Sequence, residues 1–218
     1  MAEPVKAKRR YDSSRRRAQA AATRIDILDA AQRLFESCGY AATTMEAIAG
    51  EAGVALKTVY VAFETKSGLL RALWNHLLRA GRDATPMAQQ EWYREVVAEP
   101  DPGRKLELTA RNSRVVKERI GGVLQVIRNA APVDEDIAAL WARIESEFHA
   151  NQRAIVDSMG LPDADRAADI LWTLNHPDVW HLLVDERGWA AEQWERWFAD
   201  AARAQLLEER KDRGRQRR

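Results

Sequence analysis

Cysteine is nearly absent. Cys38 stands alone among 218 residues, which excludes an internal disulfide and any zinc site built from several thiolates. No stretch approaches the roughly 20 consecutive apolar residues that a membrane-crossing helix needs. The basic opening MAEPVKAKRRYDSSRRRAQAAATRI lacks the apolar centre of a secretory signal, so the chain reads as cytoplasmic. Strand signals are missing too: no run alternates apolar with polar residues, and no Asn-Gly or Asp-Gly pair separates apolar runs. There is no Gly-x-Ser-x-Gly elbow, phosphate loop or His-Glu-x-x-His. Of the histidines His76, His149, His176 and His181, only the last two come close together, across a proline, and that is a weak metal signal. The reading is of a non-enzyme with no catalytic residues, no cofactor and no metal.

What is present is apolar and charged in globular proportion, 46% hydrophobic and 31% charged residues, in a chain longer than one domain of about 150 residues. The formal net charge of +1 hides an asymmetry. Lys6, Lys8, Arg9, Arg10, Arg15, Arg16 and Arg17 crowd the start, and Arg210, Lys211, Arg213, Arg215, Arg217 and Arg218 crowd the end. Both ends read as mobile basic tails. The first is either an arm that follows a DNA backbone or a solubility tail.

Helical periodicity runs through nearly everything between. Ile25, Leu28, Ala31, Leu34 and Phe35 mark one face of a first helix of three to four turns, ended by Gly39. Cys38 falls in its last turn, as a small apolar residue or as a thiol sensor. Thr43 with Glu46 three residues on has the form of a capping box opening a second helix, and Gly53 makes a tight turn. A third helix is expected from about Leu56 to Phe63, and a fourth capped by Ser67. Two turns of helix cannot repay their nucleation alone. The inward face is then Val59 and Phe63, leaving Leu56, Lys57, Tyr60 and Val61 outward. Outward Tyr and Val beside Lys suit a DNA major groove better than bulk water.

The string TRIDILDAAQRLFESCGYAATTMEAIAGEAGVALKTVYVAFETKSGLL resembles the DNA-binding region of the tetracycline-repressor (TetR) family of bacterial transcription regulators. Gly39-Tyr40, Thr43-Thr44, Ile48-Ala49, Ala52-Gly53-Val54, Thr58, Tyr60, Phe63, Lys66 and Leu69-Leu70 carry the likeness. The resemblance implies that Thr44, Thr58 and Tyr60 give hydroxyls to phosphate, that Lys66 adds a charge-assisted phosphate contact, and that Leu56, Lys57 and Ala62 face base edges. Ala55 departs from a usual capping Ser, Lys57 from a frequent Gly, and Ala62 from a frequent His or Tyr. Lys57 is then either a reader of guanine or a phosphate-bound or solvated lysine. The resemblance also implies double-stranded palindromic DNA as partner and an all-α architecture. That architecture is a three-helix helix-turn-helix domain followed by a helical regulatory domain, which dimerises through its last two helices and often holds a small-molecule pocket. The expected boundaries are a disordered arm at 1–22, the DNA-binding domain at 23–70, the regulatory domain at 71–207 and a basic tail at 208–218.

In the second half, a short helix is expected around Trp92, then a long one from about Arg104 interrupted at Gly121-Gly122. A helix opened by Pro132 and Asp134 carries the stripe Ile137, Leu140, Trp141, Ile144, Phe148 and Ile155, and a later helix breaks at His176-Pro177. Eight tryptophans, five beyond residue 170, serve core and dimer interface or wall a ligand cavity. Trp194, Trp197, Phe198 and Ala201 read as dimer interface. Trp74, Arg111, Asn112, Trp141, Phe148, Trp172, Asn175 and His176 read as the pocket of a small apolar or aromatic effector. The functional expectation is a repressor released by that effector; the alternatives are a DNA-binding regulator without one, or an enzyme using the C-terminal cavity.

Overall fold

The computed structural model describes residues 11–78 and 90–208, so Lys6 to Arg10, Pro86 and the C-terminal arginines lie outside the described residues. The described chain is helical, in two compact units that divide between Leu73 and Trp74.

In the first unit, α1 (Tyr11–Ala42) is broken only at Gly39, whose φ of 79° leaves the helical region. It starts well before the expected position: residues 11–22, expected as part of a disordered arm, are helical. The buried stripe is Ile27, Leu28, Ala30, Ala31 and Phe35, whereas Ile25, expected to face inward, is exposed. The 3.6-residue period admits either isoleucine beside Leu28, and Ile27 shares a face with Ala31 and Phe35 at four-residue steps. α2 (Met45–Glu51) is capped by Thr44, whose Oγ1 accepts from the Ala47 amide at 3.1 Å. Thr43, the expected cap, is instead buried, and its hydroxyl donates to the Gly39 carbonyl at 2.8 Å. The cap moves one residue on because Thr43 is used to close the Gly39 break.

Gly53, at φ 66°, turns the chain into α3 (Leu56–Phe63), and Val59 and Phe63 are its buried residues as expected. The exit is tighter than the sequence suggests. Glu64 has φ 61° and ψ −53°, and the Thr65 amide donates to the Phe63 carbonyl at 2.6 Å. This is a positive-φ γ-turn, a strained conformation for a residue with a side chain. A Cβ on Gly68 would stand 2.6 Å from that same carbonyl oxygen, so the close approach requires glycine. α4 (Lys66–Leu78) is capped by Thr65, which accepts from the Gly68 amide at 2.9 Å; Ser67, the expected cap, is buried.

In the second unit, α5 (Glu91–Ala98) carries Trp92 as expected. α6 (Pro102–Ala130) begins at Asp101, whose side chain accepts from the Arg104 amide, and runs unbroken through Gly121-Gly122. The expected interruption is absent because buried Ile120, Val123, Leu124 and Ile127 hold the helix on both sides of the glycines. α7 (Glu135–Asp157) is capped by Asp134. α8 (Ala164–Leu174) ends at Asn175, and His176-Pro177 restarts the chain as α9 (Pro177–Trp180), which continues in a π-helical turn, His181–Glu186. α10 (Ala191–Arg203) packs chiefly on α6, and α7 chiefly on α8.

Trp194 and Phe198, expected at a dimer interface, are 0% exposed within the single chain. Their rings stack at 5.3 Å in a core that also holds Leu106, Leu171 and Trp180. α10 turns its aromatic stripe toward α6, so these two residues hold the protomer itself together. Trp197 and Ala201 stay half-buried.

Candidate nucleic-acid interface and regulatory core

The outward face of α3 presents Lys57, Tyr60 and Val61 at steps of three and four residues, so they share one side of the helix. Tyr60 is 44% and Val61 76% exposed. Lys57 and Thr58 are exposed, while Leu56 and Ala62 are half-buried at the margins. Among the described residues, no hydrogen bond or ion pair holds the side chains of Lys57, Thr58 or Tyr60. Ala55 gives α3 no side-chain cap. Exposed Thr44 accepts an amide through Oγ1, which leaves its O–H free to donate.

The rest of the unit holds this face in place. Arg24 donates to the Ala62 carbonyl at 2.7 Å and lies 4.1 Å over the Phe63 ring, tying α1 to the end of α3. Lys66 is half-buried, donates to the Tyr40 and Thr43 carbonyls at 2.8 and 3.0 Å, and sits 4.3 Å over the Tyr40 ring. Two of its three N–H groups thus hold the segment leading to Thr44, leaving one for an outside acceptor.

The second unit has a polar centre inside its apolar core. Lys117 of α6 is 7% exposed, and its Nζ donates to Asn175 Oδ1 at 2.6 Å. Asn175 in turn donates to Ser113 and Gln152. Lys117 faces the rings of Trp194 at 4.8 Å and Phe148 at 5.8 Å. Burial alone pushes its ammonium pKa down from 10.5 to about 7. A recess that Lys117 itself lines is walled by Gly121, Leu124, Trp141, Trp180 and His181, together with the charged Arg128, Asp178 and Asp185. It admits about one water molecule.

Of the residues expected to line a pocket, only Trp141 lines this recess; Asn175 and Phe148 reach it through Lys117. His176 is bonded to Glu145 at 3.2 Å and packed edge-on against Trp172 at 4.9 Å. Arg111 is exposed, Asn112 half-buried, and Trp74 buried without lining the recess. Lys117 escaped the sequence reading. Its signal was position: it lies three residues before Ile120 and seven before Leu124, on the stripe α6 buries, where a lysine is out of place.

Residues 27–73 match the profile of bacterial regulatory proteins of the tetR family. The chain is similar to the HTH-type transcriptional regulator TtgR of Pseudomonas putida, 27% identical over 197 residues, covering 80% of this chain and 91% of that protein. Its fold is similar to that of NalD, the secondary repressor of the MexAB-OprM multidrug efflux pump in Pseudomonas aeruginosa. That likeness has a TM-score of 0.64 at 22% identity, over 87% of this chain and 98% of NalD. SmeT, solved as a complex with triclosan, is similar at a TM-score of 0.64 and 18% identity, over 84% of this chain and 90% of SmeT. Residues 27–73 thus carry the match to the tetR family of bacterial regulatory proteins, and over most of its length the chain shares the helical fold of these solved structures.

Proposed function

We propose that the protein is a sequence-specific DNA-binding transcriptional regulator, a cytoplasmic homodimer that represses from a palindromic operator and is released by a small-molecule effector. The observation that carries the reading is the outward face of α3, with Lys57, Thr58, Tyr60 and Val61 exposed while Val59 and Phe63 lock its other side. Thr44, Thr58 and Tyr60 donate hydroxyls to phosphates, Lys66 offers its remaining N–H to another, and Lys57 reaches base edges flanked by Leu56 and Ala62. The half-buried Trp197 and Ala201 remain as candidates for the dimer face on α10.

Release follows from linkage. An effector lowers DNA affinity by the difference in its affinity for the DNA-competent and DNA-incompetent states, typically about 1–3 kcal/mol, and DNA weakens effector binding by the same factor. A complex of SmeT with triclosan and the description of NalD as a repressor support this reading by likeness. Sedimentation of the free protein, then of the protein with a bound inverted-repeat duplex, tests it. Dimers in both, at two protomers per duplex, are expected; a monomer at micromolar concentration contradicts the dimeric repressor.

A further inference from the structure

Two buried lysines in the second unit are treated very differently. Lys105, 1% exposed, donates to the Val97 carbonyl and to both the carbonyl and hydroxyl of Ser158, so its N–H groups are spent joining the ends of α5 and α7. Lys117 makes one hydrogen bond, to neutral Asn175. Among the described residues, no carboxylate lies within ion-pair distance of it. The carboxylates nearby already have partners of their own. Arg128 pairs with Asp178, His176 with Glu145, His181 with Asp185, and Arg114 with Glu195. Trp194, fully buried with its ring against the Lys117 ammonium, has an indole N–H without an acceptor. The buried indole N–H without an acceptor costs about 1–3 kcal/mol, and the ammonium beside its ring has no counter-charge, so one anion bound between them would relieve both.

We propose that the effector is a monoanionic aromatic acid whose carboxylate pairs with Lys117 and accepts from the Trp194 indole, while its ring lies between Trp141 and Trp180. This deepens the regulator reading, on which it rests for its consequence at DNA. One ammonium and one indole N–H match the two oxygens of a single carboxylate, and the tryptophans at the recess supply the apolar walls. Gly121, whose Cβ position stands 3.8 Å from Trp180 Nε1, leaves the wall of α6 open there. Because the recess admits about one water, entry requires movement of 177–186, the segment that begins at a proline and ends in a π-helical turn.

The test compares 1-naphthoate with the isosteric neutral 1-naphthamide, each titrated calorimetrically into the full-length protein, with tryptophan fluorescence as a second readout. The acid is expected to bind about tenfold or more tightly than the amide, and Lys117→Met to erase that preference. Lys117→Gln, which keeps a polar partner for Asn175, serves if the Met variant fails to fold, and the acid-to-amide ratio in the unaltered protein needs neither variant. Equal binding of both, binding of neither up to millimolar concentration, or a preference that survives loss of Lys117 each overturns the proposal. Duplex binding is measured on the same preparations. DNA binding without acid preference sinks the ligand class alone, whereas acid preference without DNA binding keeps the site and sinks the regulator reading.

Discussion

The Arg24 guanidinium lies 4.1 Å above the Phe63 ring while Nη1 donates to the neighbouring Ala62 carbonyl at 2.7 Å. This contact holds the far end of an eight-residue helix that is too short to be stable by itself, since isolated helices below about 12–15 residues are marginal. Removing it as Arg24→Ala should cost about 1 kcal/mol of stability, the usual size of an exposed cation–π contact with one hydrogen bond. DNA affinity should fall by more than that, because α3 loses its fixed angle. Urea denaturation and fluorescence anisotropy on a bound duplex measure the two separately; equal losses would mean that Arg24 does not orient α3.

The turn after α3 stores strain at Glu64, with φ 61°. Glu64→Gly should stabilise the protein by about 1 kcal/mol, because glycine adopts this conformation freely. Gly68→Ala should do the opposite and by more, since its Cβ would meet the Phe63 carbonyl oxygen at 2.6 Å. Thermal melts of the two variants check the signs, and a stabilised Gly68→Ala would show that the turn gives way easily.

Lys117 predicts a pH signature. Its pKa falls from 10.5 unfolded to about 7 folded, through burial. Between those values the unfolded chain holds more protons, so this group makes stability rise with pH; below about 7 both states are protonated and the burial cost is full and constant. At 1.36 kcal/mol per pKa unit the cost is at most about 5 kcal/mol, offset by about 1–3 kcal/mol for leaving Asn175 Oδ1 unpaired. Lys117→Met should therefore be the more stable protein at pH 6 and lose that advantage toward pH 10. The acids and bases nearby, Glu145, His176, Asp178, His181 and Asp185, are common to both proteins and cancel in the difference. Urea midpoints across that range decide it, and a pH-independent difference would mean that Lys117 keeps its proton in the fold.

On the outward face of α3, Tyr60→Phe removes the hydroxyl proposed to donate to phosphate and should weaken binding to all duplexes alike. Lys57→Ala should in addition relax the preference at one base pair per half-site, by about 1–3 kcal/mol. A panel of single-substituted duplexes separates the two. Uniform loss for both variants would take base reading away from Lys57.

The helix-turn-helix was legible because its signals are local. The two-residue choice of inward Val59 and Phe63, the turn at Gly53 and the proline break at Pro177 follow from periodicity and backbone chemistry. What escaped was set by tertiary packing. Gly121-Gly122 look like a break until the buried residues around them are seen to hold α6 straight. Trp194 and Phe198 look like an interface until α10 is laid on α6. Caps at Thr44 and Thr65 were displaced by one or two residues because Thr43 and Ser67 are buried. Lys117 could be noticed only as a charge on an apolar stripe, and its lack of a counter-charge is a property of the fold.

If the exposed face of α3 reads DNA sequence two copies at a time, as proposed, the full-length protein has a sequence preference of matching symmetry. Selection from a pool of random duplexes by the full-length protein, at near-physiological salt and with sequencing of the bound fraction, measures that preference. Enrichment of one inverted repeat with half-sites about one helical turn apart, or a multiple of it, is expected. Enrichment at one position per half-site should be lost with Lys57→Ala. A bound pool with no enriched sequence, or one enriched equally by a protein carrying Lys57→Ala and Tyr60→Phe together, would contradict it.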